Sequence, residues 1–436
     1  MKTSGDSGRG ARACRAQPCE GRPLPYDLPL TRPPAQWEIM SAPCEGVRVV
    51  DLSRVLAGPQ CAALLGDLGA DVVKVESPHG GDETRSWLPF VDGVSTAFLS
   101  VNRNKRSIAV DLTTPEGRAL VRELIVSADV VIENFRTGTM ERWGLGYEDL
   151  RTDAPRLVYS AISAFGRTGE LAERAGYEAV LQAFSGVMSI TGDPDGPPAR
   201  SGPSLLDLGT GILTAHAVTA ALLDRERTGR GQRVDTALLG TAMTLLGYHA
   251  QGYLSAGEVP ERRGSAHAAL VPYRAYPCAD DESVFIAAGN DGLWARFCDA
   301  LGLERLRDDL RFSTLPARRE HRQELDEQLV AVLSRLPRDE LLDILEAAGV
   351  PAAPVNDVAQ VVEHPQVREL DTIQTVFHPG LARAIELVAS PFRATEMVTR
   401  VRRAPPMLGE HTDEILDEFG YDVEARTDLR ARGIVT

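Results

Sequence analysis

Cysteine is scarce and unclustered in this sequence, with six in 436 residues, at Cys14, Cys19, Cys44, Cys61, Cys278 and Cys298. No C-x-x-C pair occurs, which removes zinc knuckles and dithiol redox motifs. Three of the six fall before residue 45, so no disulfide framework is expected and a reducing compartment is suggested. Basic charge is also short. Lys+Arg 47 against Asp+Glu 62 gives −15, which argues against nucleic acid or an anionic membrane as a general partner. A small anion on a local basic patch stays possible. No apolar run approaches the roughly 20 residues that span a bilayer, so no membrane segment is expected. No G-x-G-x-x-G follows the first strand pattern, and Walker A, H-E-x-x-H, EF-hand and G-x-S-x-G patterns are missing. The eight histidines include no pair at i, i+4, and no metal site is expected.

What is present reads as a large globular chain. Hydrophobic content of 43% and charged content of 25% are ordinary, and the length favours two domains. Residues 1–40 are rich in Gly, Pro and Arg without apolar periodicity. They lack the apolar core of a secretory signal. Met40 opens "MSAPCEGVRVVDLS", so residues 1–40 are expected to be a disordered extension or to precede the true start. From residue 46, strand and helix patterns alternate: "GVRVVDLS", "PQCAALLGDLG", "DVVKVES", "RSIAVDL", "TPEGRALVRELIVSA", "DVVIENF" and "RLVYSAISAF". Such alternation implies βαβ units and a mainly parallel sheet. "AGYEAVLQAFSGVMSI" reads as helical and "GRGQRVDTALLG" as a strand leading outward. The expected organisation is 41–235 as the first part of a Rossmann-like large domain, 236–345 as a smaller α+β domain with connectors, and 346–436 as a connector and a return to the large domain.

Four local features carry possible chemistry. "SLLDLGTG" places Asp207 ahead of two glycines in an otherwise apolar stretch. It reads as a helix cap or as a carboxylate nucleophile at a helix start, with glycines that admit a substrate. "NRNKRS" groups Arg103, Lys105 and Arg106, either a solvated loop or a phosphate contact. "VIENF" sets Glu133 and Asn134 at the carboxyl end of a strand, where open α/β sheets bind ligands. "GYEAV" offers Glu178 near a helix start. His267, alone in a Gly/Ala loop, has no chemistry of its own at this level.

Together the stretches "VVDLSRVLAGP", "DLGADVVKVESPHGGDETR", "SVNRNKRSIAVDL", "ADVVIENFRTGTMERWGLGYEDL", "AGYEAVLQAFSGVMSITGDPDGPP", "LDLGTG", "RTGRGQRVD" and "LGEHTDEIL" resemble the class III CoA-transferases. They run in order over roughly residues 46–420. "FLSVNRNKRSIAV", "GSAHAALVPYRAY" and "AAGND" look closest to the succinyl-CoA–glutarate branch. The resemblance implies a Rossmann-like large domain, a small domain and an interlocked homodimer, and the reducing compartment suggested by the cysteines is expected to be the cytoplasm. Acyl-CoA and a carboxylic acid are its substrates, coenzyme A acts as a substrate, and no cofactor is bound permanently. It implies Asp207 as the nucleophile and Glu178 beside it. The CoA contacts it implies are Leu56, Ala57, Val110, Asp111, Leu112, Thr113, Asn134, Phe135, Arg142, Ala175, Gly176 and Tyr177, running up to Glu178.

Two departures bear on substrate. Formyl-CoA transferase has an Arg where this chain has Ser77, and a long glycine run where this chain has "RRGSAHAALVPY". That loop brings Arg262, Arg263 and His267, suited to the free carboxylate of a short dicarboxylic acid such as succinate or glutarate. The implied chemistry is exchange through an aspartyl anhydride and an aspartyl thioester, with oxyanions expected at N–H groups near Gly209 and Gly211. Two alternatives are an acyl-CoA racemase or isomerase on the same fold and a non-catalytic CoA-binding protein. Related racemases carry Gly-His-Asp where Gly176-Tyr177-Glu178 stands, which weighs against the first. Intact Asp207 and Glu178 weigh against the second.

Overall fold

A computed structural model describes residues 42–436, so the expectation about the first 40 residues, with Cys14 and Cys19, lies outside the described residues. Six parallel strands form the main sheet: β1 (Arg48–Asp51), β2 (Asp71–Glu76), β3 (Lys105–Ala109), β4 (Val130–Glu133), β5 (Val158–Ser163) and β6 (Arg233–Ala237). Their spatial order is β3-β2-β1-β4-β5-β6. The segment read as leading outward is the last strand of this sheet, paired with β5.

Successive side chains on a strand point to opposite faces. Here both faces are apolar, because both are covered. Val50, Val131 and Tyr159 enter one core cluster, whereas Val49, Val130, Ile132 and Val158 enter another. This is the pattern of a parallel sheet buried on two sides. The first face is closed by α2 (Pro115–Val126) and by the chain's end. Thr114 caps α2 by accepting from the Gly117 N–H, with Pro115 in the first turn. Ile415, Leu416, Ile434 and Val435 join this cluster, and Val435 bridges to Val110. The second face is closed by α1 (Ala57–Asp67), α3 (Glu178–Phe184) and α4 (Leu205–Thr228). The helix read over 175–190 is shorter than its pattern: α3 starts at Glu178, and Tyr177 before it is extended. After β6 comes α5 (Leu238–Ala256), kinked at Gly247.

A further cluster surrounds a three-stranded antiparallel sheet, β7 (Tyr273–Pro277), β8 (Ser283–Ala287) and β9 (Ala352–Pro354). Trp294, Phe297, Phe312 and Leu329 fill its core. The described residues all fall in one compact unit.

Two expectations from the sequence are corrected. First, α4 has 24 residues and a mean hydropathy of 1.4 in its most apolar window, so by length and composition one helix could cross a membrane. In this fold α4 packs as a core helix, with Leu206, Ala215, Val218, Ala221 and Leu222 joining the second cluster. Second, "NRNKRS" is neither a solvated loop nor a phosphate contact. Arg103, Lys105 and Arg106 are buried. Lys105 Nζ bonds Asp51 Oδ2 at 2.8 Å, Arg103 Nη2 bonds Asp67 Oδ2 at 2.6 Å, and Arg106 Nη2 bonds Asp71 Oδ2 at 2.6 Å. Buried charges persist only when paired, and each of these has its carboxylate. Burial pushes Asp51 up, but Lys105 and Lys74 outweigh it and hold its carboxyl below the usual value. Cys44, Cys61, Cys278 and Cys298 are buried free thiols.

Candidate active site

The sheet order reverses between β1 and β4. In doubly wound sheets the ligand crevice lies outside the strand ends at such a switch point. A cavity of about 210 Å³ opens there. Arg54, Val55 and Ala57 follow β1. Asn134 to Thr137 follow β4, Ile162 to Ala164 end β5, and Leu238 follows β6. Residues 172–178 and Asp207 complete the wall.

The loop after β1 replaces a glycine-rich phosphate turn with Ser53–Leu56, and its shape is forced. Val55 has φ of +69°, a strained conformation for a β-branched residue. Two clamps hold it. The Val55 N–H donates to Asp82 Oδ1 at 3.2 Å. Asp82 pairs at 2.9 Å with Lys74 Nζ, which also donates to the Ser53 carbonyl at 2.9 Å. On the other side Arg54 N–H donates to Asn134 Oδ1 at 2.8 Å, and Asn134 Nδ2 donates back to the Arg54 carbonyl at 2.7 Å. The Arg54 guanidinium lies 5.0 Å from the Phe135 ring centre. Glu133, beneath this loop, accepts the Phe135 N–H at 2.8 Å and pairs with Arg167 at 3.1 Å. Burial raises Glu133 to about 7.

Asp207 is the third residue of α4, after the Ser204 N-cap. It is not a cap, since the cap residue is Ser204 and no side-chain cap bond is made. Its carboxylate is half-buried and faces the cavity. Burial, and then the neighbouring charge of Glu178, raises it to about 7. Glu178 opens α3 and is buried. Its Oε1 accepts from Gln182 Nε2 at 2.5 Å and from the Leu206 N–H at 3.3 Å, and Arg200 approaches its Oε2 at 3.8 Å.

The glycines after Asp207 have a different task from the one expected. Gly209 and Gly211 lie inside α4, beyond the first four N–H groups that a helix leaves free. Their N–H groups therefore do not form an oxyanion site. Gly211 instead allows close helix packing, because a Cβ there would stand 2.6 Å from the Ala57 carbonyl oxygen of α1.

Of the residues proposed from sequence, the structure brings Ala57, Asn134, Phe135, Ala175, Gly176, Tyr177, Glu178 and Asp207 to one cavity. Leu56 adjoins it as the N-cap of α1. Val110 is buried, and Asp111 accepts two bonds from Thr113. Both follow β3, as do Leu112 and Thr113, three strand spacings from β4, or about 14 Å. Arg142 is exposed and donates to Thr139 Oγ1 at 2.8 Å, away from the cavity lining. None of residues 262–267 is on the lining of the Asp207 cavity. Arg262 donates to the carbonyls of Asp193 and Gly196. Arg263 and His267 line a second cavity of about 600 Å³ with Tyr248, His249 and Glu261. Sequence reasoning missed Arg54, Arg136 and Arg174, which also line the first cavity. Their signal was position, since Arg54 and Arg136 each stand within three residues of a strand's carboxyl end.

A family model described as CoA-transferase family III matches residues 44–412. The chain belongs to CoA-transferase family III. The succinate–glutarate CoA-transferase of Agrobacterium fabrum is 40% identical over 406 residues, 90% of this chain and 97% of that protein. The succinyl-CoA:mesaconate CoA-transferase of Haloarcula hispanica is 42% identical over 385 residues, 86% of this chain and 96% of that one. A crystal structure of a CAIB/BAIF family protein from Brucella suis superposes with a TM-score of 0.78 at 40% identity, covering 87% of this chain and 99% of that chain. The family and fold expected from the sequence are thus those found. As a family III CoA-transferase, the chain is an enzyme that uses acyl-CoA.

Proposed function

We propose that this CoA-transferase exchanges CoA between two carboxylates through Asp207, with short dicarboxylic acids as substrates. One observation carries the reading. Asp207 presents a carboxylate with no hydrogen-bond partner among the described residues to a cavity at the sheet's switch point, beside Glu178. An Asp207 oxygen attacks the thioester carbonyl, breaking the C–S bond and giving a mixed anhydride and CoA thiolate. The thiolate attacks the aspartyl carbonyl, releasing the first carboxylate and leaving an aspartyl–CoA thioester. The acceptor carboxylate attacks that thioester, forming a second anhydride and expelling the thiolate. The thiolate then takes the acceptor's acyl carbon, and Asp207 leaves as a carboxylate. Covalent catalysis divides one difficult exchange into four addition–elimination steps. The burial that raises Asp207 also limits the access of water to the anhydrides.

Dicarboxylate preference is supported by the substrates named for the two relatives. In one chain the cations on the cavity are Arg54, Arg136 and Arg174, and the 262–267 loop would act only across a dimer. Exposed apolar residues on α4 and α5, among them Ile212, Leu213, Met243, Leu245 and Leu254, support a homodimer. The test combines acyl-CoA, hydroxylamine and mass spectrometry. A modified peptide containing Asp207, lost in Asp207→Ala together with turnover, supports the mechanism. Normal turnover by Asp207→Ala overturns it. Equal use of butyryl-CoA and succinyl-CoA overturns the dicarboxylate part.

A further inference from the structure

Gln182 has no role in the chemistry described above, yet its side chain is wholly buried and fully bonded. It lies on the inner face of α3, one turn after Glu178, with zero exposure. Its Nε2 donates to Glu178 Oε1 at 2.5 Å and to Ser201 Oγ at 2.8 Å. Its Oε1 accepts the Ser201 N–H at 2.9 Å. Ser201 Oγ in turn donates to the Pro203 carbonyl at 2.9 Å, immediately ahead of the Ser204 cap of α4. One amide therefore ties the Glu178 carboxylate to the segment that delivers Asp207. The Leu206 N–H closes the ring by donating to the same Glu178 oxygen.

We propose that Gln182 is a positioning residue for this site, fixing Glu178 against the start of the Asp207 helix so that the two carboxylates keep one separation throughout the exchange. The proposal rests on the reading of Asp207 as nucleophile and concerns how that nucleophile is held. A buried amide satisfied on both sides is costly to disturb, because either loss leaves a buried polar group unpaired. The arrangement also explains how a carboxylate can stand beside Asp207 without turning away. Glu178 Oε1 is held by two donors, and among the described residues Arg200, at 3.8 Å from Oε2, is its one ion-pair partner. The other charged groups facing the cavity are Arg54, Glu83, Arg136, Glu173 and Arg174.

The test is steady-state kinetics across the neutral pH range for the parent, Gln182→Met, Glu178→Gln and the double variant, with thermal unfolding alongside. Gln182→Met is expected to lower kcat on the order of 10- to 100-fold with little change in KM for acyl-CoA, as expected when reacting groups are misplaced by about 1 Å. Its acid limb should move below the parent's, because Glu178 no longer faces Asp207. In the Glu178→Gln background, Gln182→Met should not move that limb further. Should Gln182→Met fail to fold, Gln182→Asn keeps the amide one methylene short and is expected to show the same signature. A variant that loses thermal stability but keeps kcat and the limb overturns the proposal. A limb that moves as far in the Glu178→Gln background as in the parent also overturns it. If the nucleophile reading is wrong, Asp207→Ala stays active, which none of these outcomes resembles.

Discussion

Gly211→Ala and Gly209→Ala are the same substitution two positions apart on one helix, and they should have opposite signs. Alanine in a helix interior is favoured over glycine by about 1 kcal/mol. At Gly209 little opposes that gain. The new Cβ meets Thr241 Cγ2 at 3.2 Å and Leu245 Cδ1 at 3.4 Å, side-chain atoms and not backbone: exposed Leu245 can turn aside, and Thr241, buried and bonded to Thr210, has to give by a few tenths of an ångström. At Gly211 the Cβ meets the Ala57 carbonyl oxygen at 2.6 Å and Gln60 Cβ at 2.8 Å, against the 3.4 Å at which ordinary contact begins. The obstructing atom is backbone in α1, so the helices must part. Overpacking of this kind costs about 1–3 kcal/mol. After the helix gain, Gly211→Ala should be less stable than the parent by up to about 2 kcal/mol. Urea unfolding of both variants is the assay, and a falling midpoint for Gly211→Ala with a steady or rising one for Gly209→Ala is expected. Activity should fall with Gly211→Ala, because α1 starts at a cavity residue and α4 carries Asp207. If both variants shift the midpoint in the same direction, the glycines do not serve helix contact as argued.

Three further outcomes are expected. Asp207→Asn should be more stable than the parent at neutral pH. A carboxyl raised from 3.8 to about 7 in the fold penalises folding progressively as pH rises through that window. Below pH 3.8 the two should unfold alike, and a constant difference across pH would refute the assignment. Activity of the parent should rise through pH of about 7 as Asp207 ionises, and Glu178→Gln should move that rise to lower pH; a limb at an unchanged pH would dissociate the two residues. Lys105→Met should lose about 3–5 kcal/mol, since it strands Asp51 as a buried charge; a urea midpoint near the parent's would show that Lys74 alone suffices.

The alternation of strands and helices was legible because β1, β2, β4 and β5 are short and mostly apolar and because signals such as the Thr114 cap with Pro115 mark a helix start. The sheet edge at β6 was not. "GRGQRVDTALLG" has polar residues at Arg233 and Asp235, and only its pairing with β5 reveals its place. "NRNKRS" misled because charge was read without partners. Lys105 finds Asp51, and Arg103 finds Asp67, 54 and 36 residues earlier. "LDLGTG" misled differently. Its two glycines were read as room for a substrate and as a source of oxyanion N–H groups, but they lie inside α4, where Gly211 lets α1 approach. The resemblance pointed to Asp207 and Glu178, which the structure places on one cavity, whereas the placement of Arg263 and His267 on another was not legible, because a loop's sequence says nothing about which cavity it borders.

The clamped turn at Val55 bears on how ready the cavity rim is for a ligand. Its unfavourable dihedral is met once, during folding, by the Lys74–Asp82 pair on one side and the Asn134 amide on the other. Four hydrogen bonds and an ion pair thus oppose other conformations of the cavity rim before a ligand arrives. A receptor that is competent only part of the time binds more weakly by that fraction. Bonds that oppose other conformations of the rim reduce that loss, so the clamps around Val55 act on affinity without touching the ligand.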